Sequence, residues 1–296
     1  MQTPQEPHSR AALPLAPSLD PSLADAHMPR RFRPLSTRVV WIGALAMLLG
    51  AAVAVVARAL TALIGLVTNL AFYGRWSFEF SSPAGNHLGL WVIAIPVIGG
   101  LIVGVMARFG SRAIRGHGIP EAMEQVLLNE SRIPPRITWL KPVSSAIAIG
   151  TGGPFGAEGP IIATGGALGS LVGQLLHVTA EERKTLLAAG AAAGMAAVFN
   201  APVSAVLLAL ELLLFERRAR SLIPVALGAA VGTGVRFALE GSAAMFAMPA
   251  LAAPDLPALL AYLVLGLIIG ALSVGITRLV YAIEDGFEKL PIHWMW

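Results

Sequence analysis

Cysteine is absent from the 296 residues, which excludes disulfides, thiolate nucleophiles and cysteine metal sites. Charge is scarce. Asp, Glu, Lys and Arg together make up 13% of the chain, where water-soluble domains carry about 25%. Hydrophobic residues reach 56% and the mean hydropathy is +0.72. So little polar surface cannot clothe a soluble globule, and the surrounding medium is expected to be lipid. No His or carboxylate set stands at metal-like spacing, and no nucleophile is matched to a base. No metal, cofactor or enzyme activity is therefore expected. The formal charge of +4 lies in short basic clusters between apolar runs. That pattern suits cytoplasmic loops rather than a nucleic-acid face.

The chain does hold 31 glycines and 21 prolines, spread through the apolar stretches. Residues 1–34 stand apart: rich in Pro, Ala and Ser, ending in Arg30, Arg31 and Arg33, and without a signal-peptide pattern. They read as a disordered cytoplasmic tail. Residues 35–296 read as one all-α, polytopic transmembrane domain. The runs Val39–Phe72 and Leu256–Leu290 exceed the ~20 residues a perpendicular span needs, which predicts tilted helices. Leu88–Phe109 and Ser221–Leu239 are of spanning length. Between them lie shorter pieces: Ile119–Leu128, Ile137–Gly150, Pro160–Leu176, Leu186–Phe199 and Pro202–Phe215. Gly or Pro breaks their ends, as expected of helices that stop within the membrane beside a polar cavity. The basic clusters Arg30/Arg31/Arg33/Arg38, Arg108/Arg112/Arg115 and Arg217/Arg218/Arg220 predict the cytoplasmic side, and the loop Tyr73–His87 the outer side. Leu45–Leu70 and Leu265–Leu290 align weakly, pairing Gly50 with Gly270 and Arg58 with Arg278. This is the mark of an internally repeated transporter: a first repeat over about 36–240, then the first long helix of a second over about 256–290.

Three short segments open short helices: Gly116-His117-Gly118-Ile119-Pro120, Gly156-Ala157-Glu158-Gly159-Pro160, and Asn200-Ala201-Pro202, whose helix ends near Glu211. In the first two, glycines free the backbone to turn, and a proline sits in the first helical turn where its missing N–H costs nothing. Each helix start then presents partial positive charge and open donors to an anion. Weak binding of this kind suits conduction better than a full countercharge. Glu158 lies where that anion would sit. An intramembrane carboxylate is costly and is a functional candidate by default. Ionised, it competes for the site; protonated, it leaves. The plainer alternative is a carboxylate facing a watery vestibule or paired with Lys141. His117 divides evenly between a loop histidine bonded to backbone and an anion contact. Glu211 reads first as offsetting the Arg217–Arg220 charge and second as a proton relay. Lys141 reads as snorkelling or pairing near the inner mouth, where it draws anions toward the path. The run Gly190–Ala197 reads as close helix packing.

These motifs resemble the CLC family of chloride channels and transporters, whose first half carries G-x-G-I-P and G-x-E-G-P loops in this order. Lys141 precedes Glu158 with the spacing the family shows, and Leu186–Glu211 looks like its next two helices. The resemblance covers about residues 36–296. It implies anion transport gated by Glu158, with the Gly118, Ile119 and Gly159 amides near the anion path. It also implies a multi-pass cell-membrane protein and a homodimer contacting through about Pro202–Phe215 and Ser221–Leu239. Chloride or another small anion is the implied cargo. Three departures stand out. His117 replaces a common Ser. Leu212 holds the place of the second acid in proton-coupled members. The family's second-half G-x-F-x-P loop and anion-lining tyrosine do not occur before Trp296. The expectation is thus a chain with the gate and much of the anion site. Proton-coupled exchange, another anion and a non-conducting membrane subunit stay open.

Overall fold

The computed structural model describes residues 37–116, 118–243 and 253–290. The N-terminal tail expected over 1–34 and His117 lie outside them. The described residues form helices and no strand. In chain order these are α1 (Thr37–Tyr73), α2 (Ala94–Phe109, led by a 3-10 turn over Gly89–Ile93), α3 (Ile119–Leu128), α4 (Ile137–Gly150) and α5 (Glu158–Leu175). Then come α6 (Ala180–Phe199), α7 (Pro202–Ala209, continued by a π turn over Leu210–Leu214), α8 (Ala219–Glu240) and α9 (Leu256–Glu288). Among the described residues four helices are long and apolar enough to cross a membrane: Thr37–Tyr73, Gly89–Phe109, Ala219–Glu240 and Leu256–Phe287. The chain is an all-α, multi-pass integral membrane protein. At 37 residues α1 runs about 55 Å, against a hydrocarbon core of about 30 Å, so it must tilt or project.

Two of the expected short pieces are longer than their apolar runs. α5 has 18 residues and begins at Glu158 rather than Pro160. α6 has 20 and begins at Ala180 rather than Leu186. The charged stretch Glu181–Lys184 belongs to the first turns of α6, where Thr179 caps the Glu182 N–H and the Glu182 carboxylate caps the Thr179 N–H. A reciprocal cap makes a polar first turn helical, which hydropathy cannot register.

α5, α6, α8 and α1 pack in succession around the buried core. The contacts are backbone to backbone. A methyl group on Gly165 would collide with the Gly190 carbonyl and one on Gly190 with the Gly165 carbonyl. Gly50 and Gly228 seat α1 against α8 in the same manner, and Gly169 abuts the Leu186 carbonyl. Lipid gives no hydrophobic drive between helices, so close approach through small residues is what holds them. The Gly190–Ala197 run is this packing surface, as expected. At the far end of α1, buried Asn69 donates to the Gly65, Ser77 and Glu79 carbonyls and accepts from Arg75 Nε and Ser81 Oγ, folding the following loop back onto the helix. α9 buries none of its described residues.

Candidate anion site

The first two glycine motifs meet. Gly118 is buried with φ +98°, and a Cβ there would lie 2.5 Å from the Gly159 carbonyl oxygen and 2.9 Å from Ala163 Cβ. Gly116 has φ +84°, and its missing side chain leaves the space taken by the Glu121 carboxylate. Both conformations are disfavoured for any residue with a Cβ. Glycine therefore serves two ends here: it makes the turn, and it lets the start of α3 touch the start of α5.

A cavity of about 700 Å³ opens at this junction. Gly116 and Ile119 line it at the start of α3, Gly156, Glu158, Gly159 and Pro160 at the start of α5, and Lys141, Ser144 and Ser145 from α4. Glu158 is the first residue of α5, exposed to the cavity, and its carboxylate makes no hydrogen bond or ion pair among the described residues. Ala157 caps α5 without a side-chain bond, and among the described residues the Glu158 and Gly159 N–H groups find no acceptor. A helix start with open donors and the positive end of its dipole turned to a cavity favours an anion.

The start of α3 differs. The Gly118 N–H donates to Glu121 Oε2 at 2.6 Å. An anion cannot use a donor that a carboxylate already holds, so the expectation that the Gly118 amide serves the anion path is corrected. What Gly118 supplies is contact with Gly159. Glu121 stands at the third position of α3, where a glutamate is a capping signature.

Lys141 is corrected too. It is 3% exposed and does not snorkel. Its Nζ donates to the Ile114 and Gly116 carbonyls, at 2.9 Å each, and it forms no ion pair with Glu158. It pins the loop ahead of α3 from below while Glu121 ties down the loop's end. Pro120 and Ala157 do not line the cavity. Glu211 lies away from it, exposed in the π turn after α7, and makes no ion pair with the arginines that follow. Glu216 pairs with Arg218 instead, at 3.3 Å. Glu216, just after the left-handed Phe215, is the carboxylate that meets the basic cluster. The serines of α4 were not singled out from the sequence, since a hydroxyl in an apolar helix gives no signal of the face it occupies. Among the described residues no group of His, Asp and Glu is placed to hold a metal.

The sequence model described as voltage gated chloride channel matches residues 98–296. The H(+)/Cl(-) exchange transporter ClcA of Vibrio campbellii is 34% identical over 216 residues, covering 71% of this chain and 46% of that protein. The chloride channel protein CLC-f of Arabidopsis thaliana is 31% identical over 209 residues, covering 67% of this chain and 26% of that one. This chain thus spans less than half the length of either of these two relatives. Among solved structures, a slow cyanobacterial Cl-/H+ antiporter superposes with a TM-score of 0.63 at 25% identity, over 86% of this chain and 58% of that one. A CLC-type fluoride/proton antiporter, at 22% identity and a TM-score of 0.57 over 77% and 55%, shares the fold. With two thirds of its residues matched by the family's own sequence pattern, and with both glycine loops in place at one cavity, this chain belongs to the voltage-gated chloride channel family.

Proposed function

We propose that this chain carries the gated part of a transmembrane anion path, with chloride as the first candidate cargo and Glu158 as the gate. The observation that carries the reading is the unbonded Glu158 carboxylate beside the open amides at the start of α5, facing a cavity that the start of α3 completes. An ionised Glu158 occupies the place an anion would take; a neutral one has no charge with which to compete. Anion flux into liposomes tests it. Glu158→Gln is expected to change flux and to flatten its dependence on pH. Unchanged flux with unchanged pH dependence sinks the assignment.

Coupled proton exchange is the second reading, favoured by relatives named as H(+)/Cl(-) exchangers. Against it, Leu212 stands where a second acid is expected and Glu211 lies away from the cavity. Recording internal pH during chloride entry decides: a rise in internal pH tied to chloride entry, as protons leave in exchange, selects exchange, and a flat trace selects passive passage. Two copies associating through α7 and α8 complete the reading. Val203 and Leu207 of α7 are exposed apolar residues on that route, and crosslinking in membranes checks it.

A further inference from the structure

A second cavity, of about 70 Å³, lies where α1 meets the C-terminal ends of α6 and α8. Arg58, Thr61, Arg236 and Glu240 line it, and the rest of its wall is alanine, valine and leucine. It shares no lining residue with the Glu158 cavity.

Its charges do not balance. Arg236 is 8% exposed, and its Nε and Nη1 are buried without a hydrogen-bond partner. Its neighbour Glu240 stands 3.4 Å from Nε, outside hydrogen-bonding geometry, and the same carboxylate lies 3.1 Å from Arg58 Nε. One carboxylate thus serves two guanidinium groups. Thr61, whose hydroxyl donates to the Arg58 carbonyl at 2.9 Å, accepts no hydrogen bond from Arg236 Nε or Nη1. A buried, charged donor left unmade is costlier than a neutral one. Water would meet the N–H groups but leave the net positive charge.

We propose that this cavity is a second anion site, in which Arg236 Nε and Nη1 donate to one compact anionic group, Arg58 supplies the second positive charge, and Glu240 is the built-in competitor. The cavity has room for a halide or for the phosphoryl oxygens of a larger molecule. Arg236 lies 17 residues into α8, about 26 Å from its start beside Arg217, Arg218 and Arg220. That is close to the thickness of the hydrocarbon core, so the site sits near the opposite interface. Both an aqueous anion and a lipid phosphate can reach it there.

The test uses the full chain in two arms. In detergent, bromide replaces gluconate at constant ionic strength and binding is read by calorimetry. After reconstitution with phosphatidylglycerol and re-extraction, bound phosphorus is measured. Arg58→Gln, on a half-exposed side chain, is expected to weaken binding at least tenfold, and Glu240→Gln to tighten it several-fold. Arg236→Gln should abolish it, but the Arg58 and Glu240 variants keep the test decisive if that one fails to fold. The pattern in the bromide arm identifies an aqueous anion; in the phosphorus arm, a lipid phosphate. Either supports the site. If neither variant changes either arm, or if Glu240→Gln weakens binding, the cavity holds only water and the proposal is overturned. Glu158→Gln must leave the Arg58-dependent component in place; its loss there would assign the binding to the other cavity and overturn this one.

Discussion

α3 and α5 begin with related loops, glycine before and proline just after, and each has a glutamate in its first turn. In α3 the acid is third, Glu121, and it reaches back to the Gly118 N–H. In α5 it is first, Glu158, and it has no partner. A third start, that of α6, repeats the α3 solution: Glu182 is third and reaches back to the Thr179 N–H. A first-position side chain leaves its own helix start, whereas a third-position one curls over it. Two residues of sequence therefore separate a carboxylate that closes a helix end from one that is left free beside an open end. The teaching is that a shared loop design does not give two equal anion ends. One supplies rigidity and contact, the other open donors.

The comparison breaks most severely at the junction itself. Gly118→Ala forces a Cβ into a left-handed backbone and against the Gly159 carbonyl, neither of which can yield without moving a helix. A loss of about 2–5 kcal/mol is expected, read as an early thermal transition in detergent together with lost flux. Lys141→Met strips the Ile114 and Gly116 carbonyls of a buried, charge-assisted donor. The expected cost is about 2–4 kcal/mol, measured in the same melt. Glu121→Ala uncaps α3 and should cost about 1–2 kcal/mol. Glu158→Ala, which removes no bond, should cost less than about 0.5 kcal/mol while altering flux. Equal losses from these two would erase the distinction between a capping and a free glutamate.

The smallest effect is at α6. Glu182 titrates at about 2, below its ordinary 4.5, chiefly because Arg38 donates to it, with help from the Thr179 N–H and some opposition from burial. A carboxyl whose folded value is lowered contributes fully above its ordinary value and loses that contribution as pH falls toward about 2. Arg38 is half exposed and the pair is screened by solvent on that side, so the effect is slight. The stability gap between the native chain and Glu182→Gln should be constant above pH ~5 and should close below ~4. A gap that widens in acid would reverse the sign.

Much of the fold was legible in the residues. The long apolar runs mark α1 and α9, and Gly or Pro marks the starts of α3, α5 and α7, because both act through local backbone geometry. The Gly/Ala run of α6 announced close packing. What was not legible was direction. Lys141 reads as a snorkelling cation because a lysine in an apolar run usually seeks water; here two backbone carbonyls lie within reach instead. Glu211 reads as the partner of the basic cluster, but Glu216, next to the cluster in the chain, takes that place. Arg58 and Arg236 are 178 positions apart and give no joint signal at all.

By itself the sequence determined a lipid-embedded helical chain, the two glycine loops and a lone carboxylate between glycines, since these rest on composition and on what each backbone can adopt. Only the tertiary structure decided that the two loops touch, that the Gly118 amide is spent on Glu121, and that two distant arginines share one glutamate. Those facts depend on which surfaces the helices bring within about 3 Å of each other, a distance no run of residues encodes on its own.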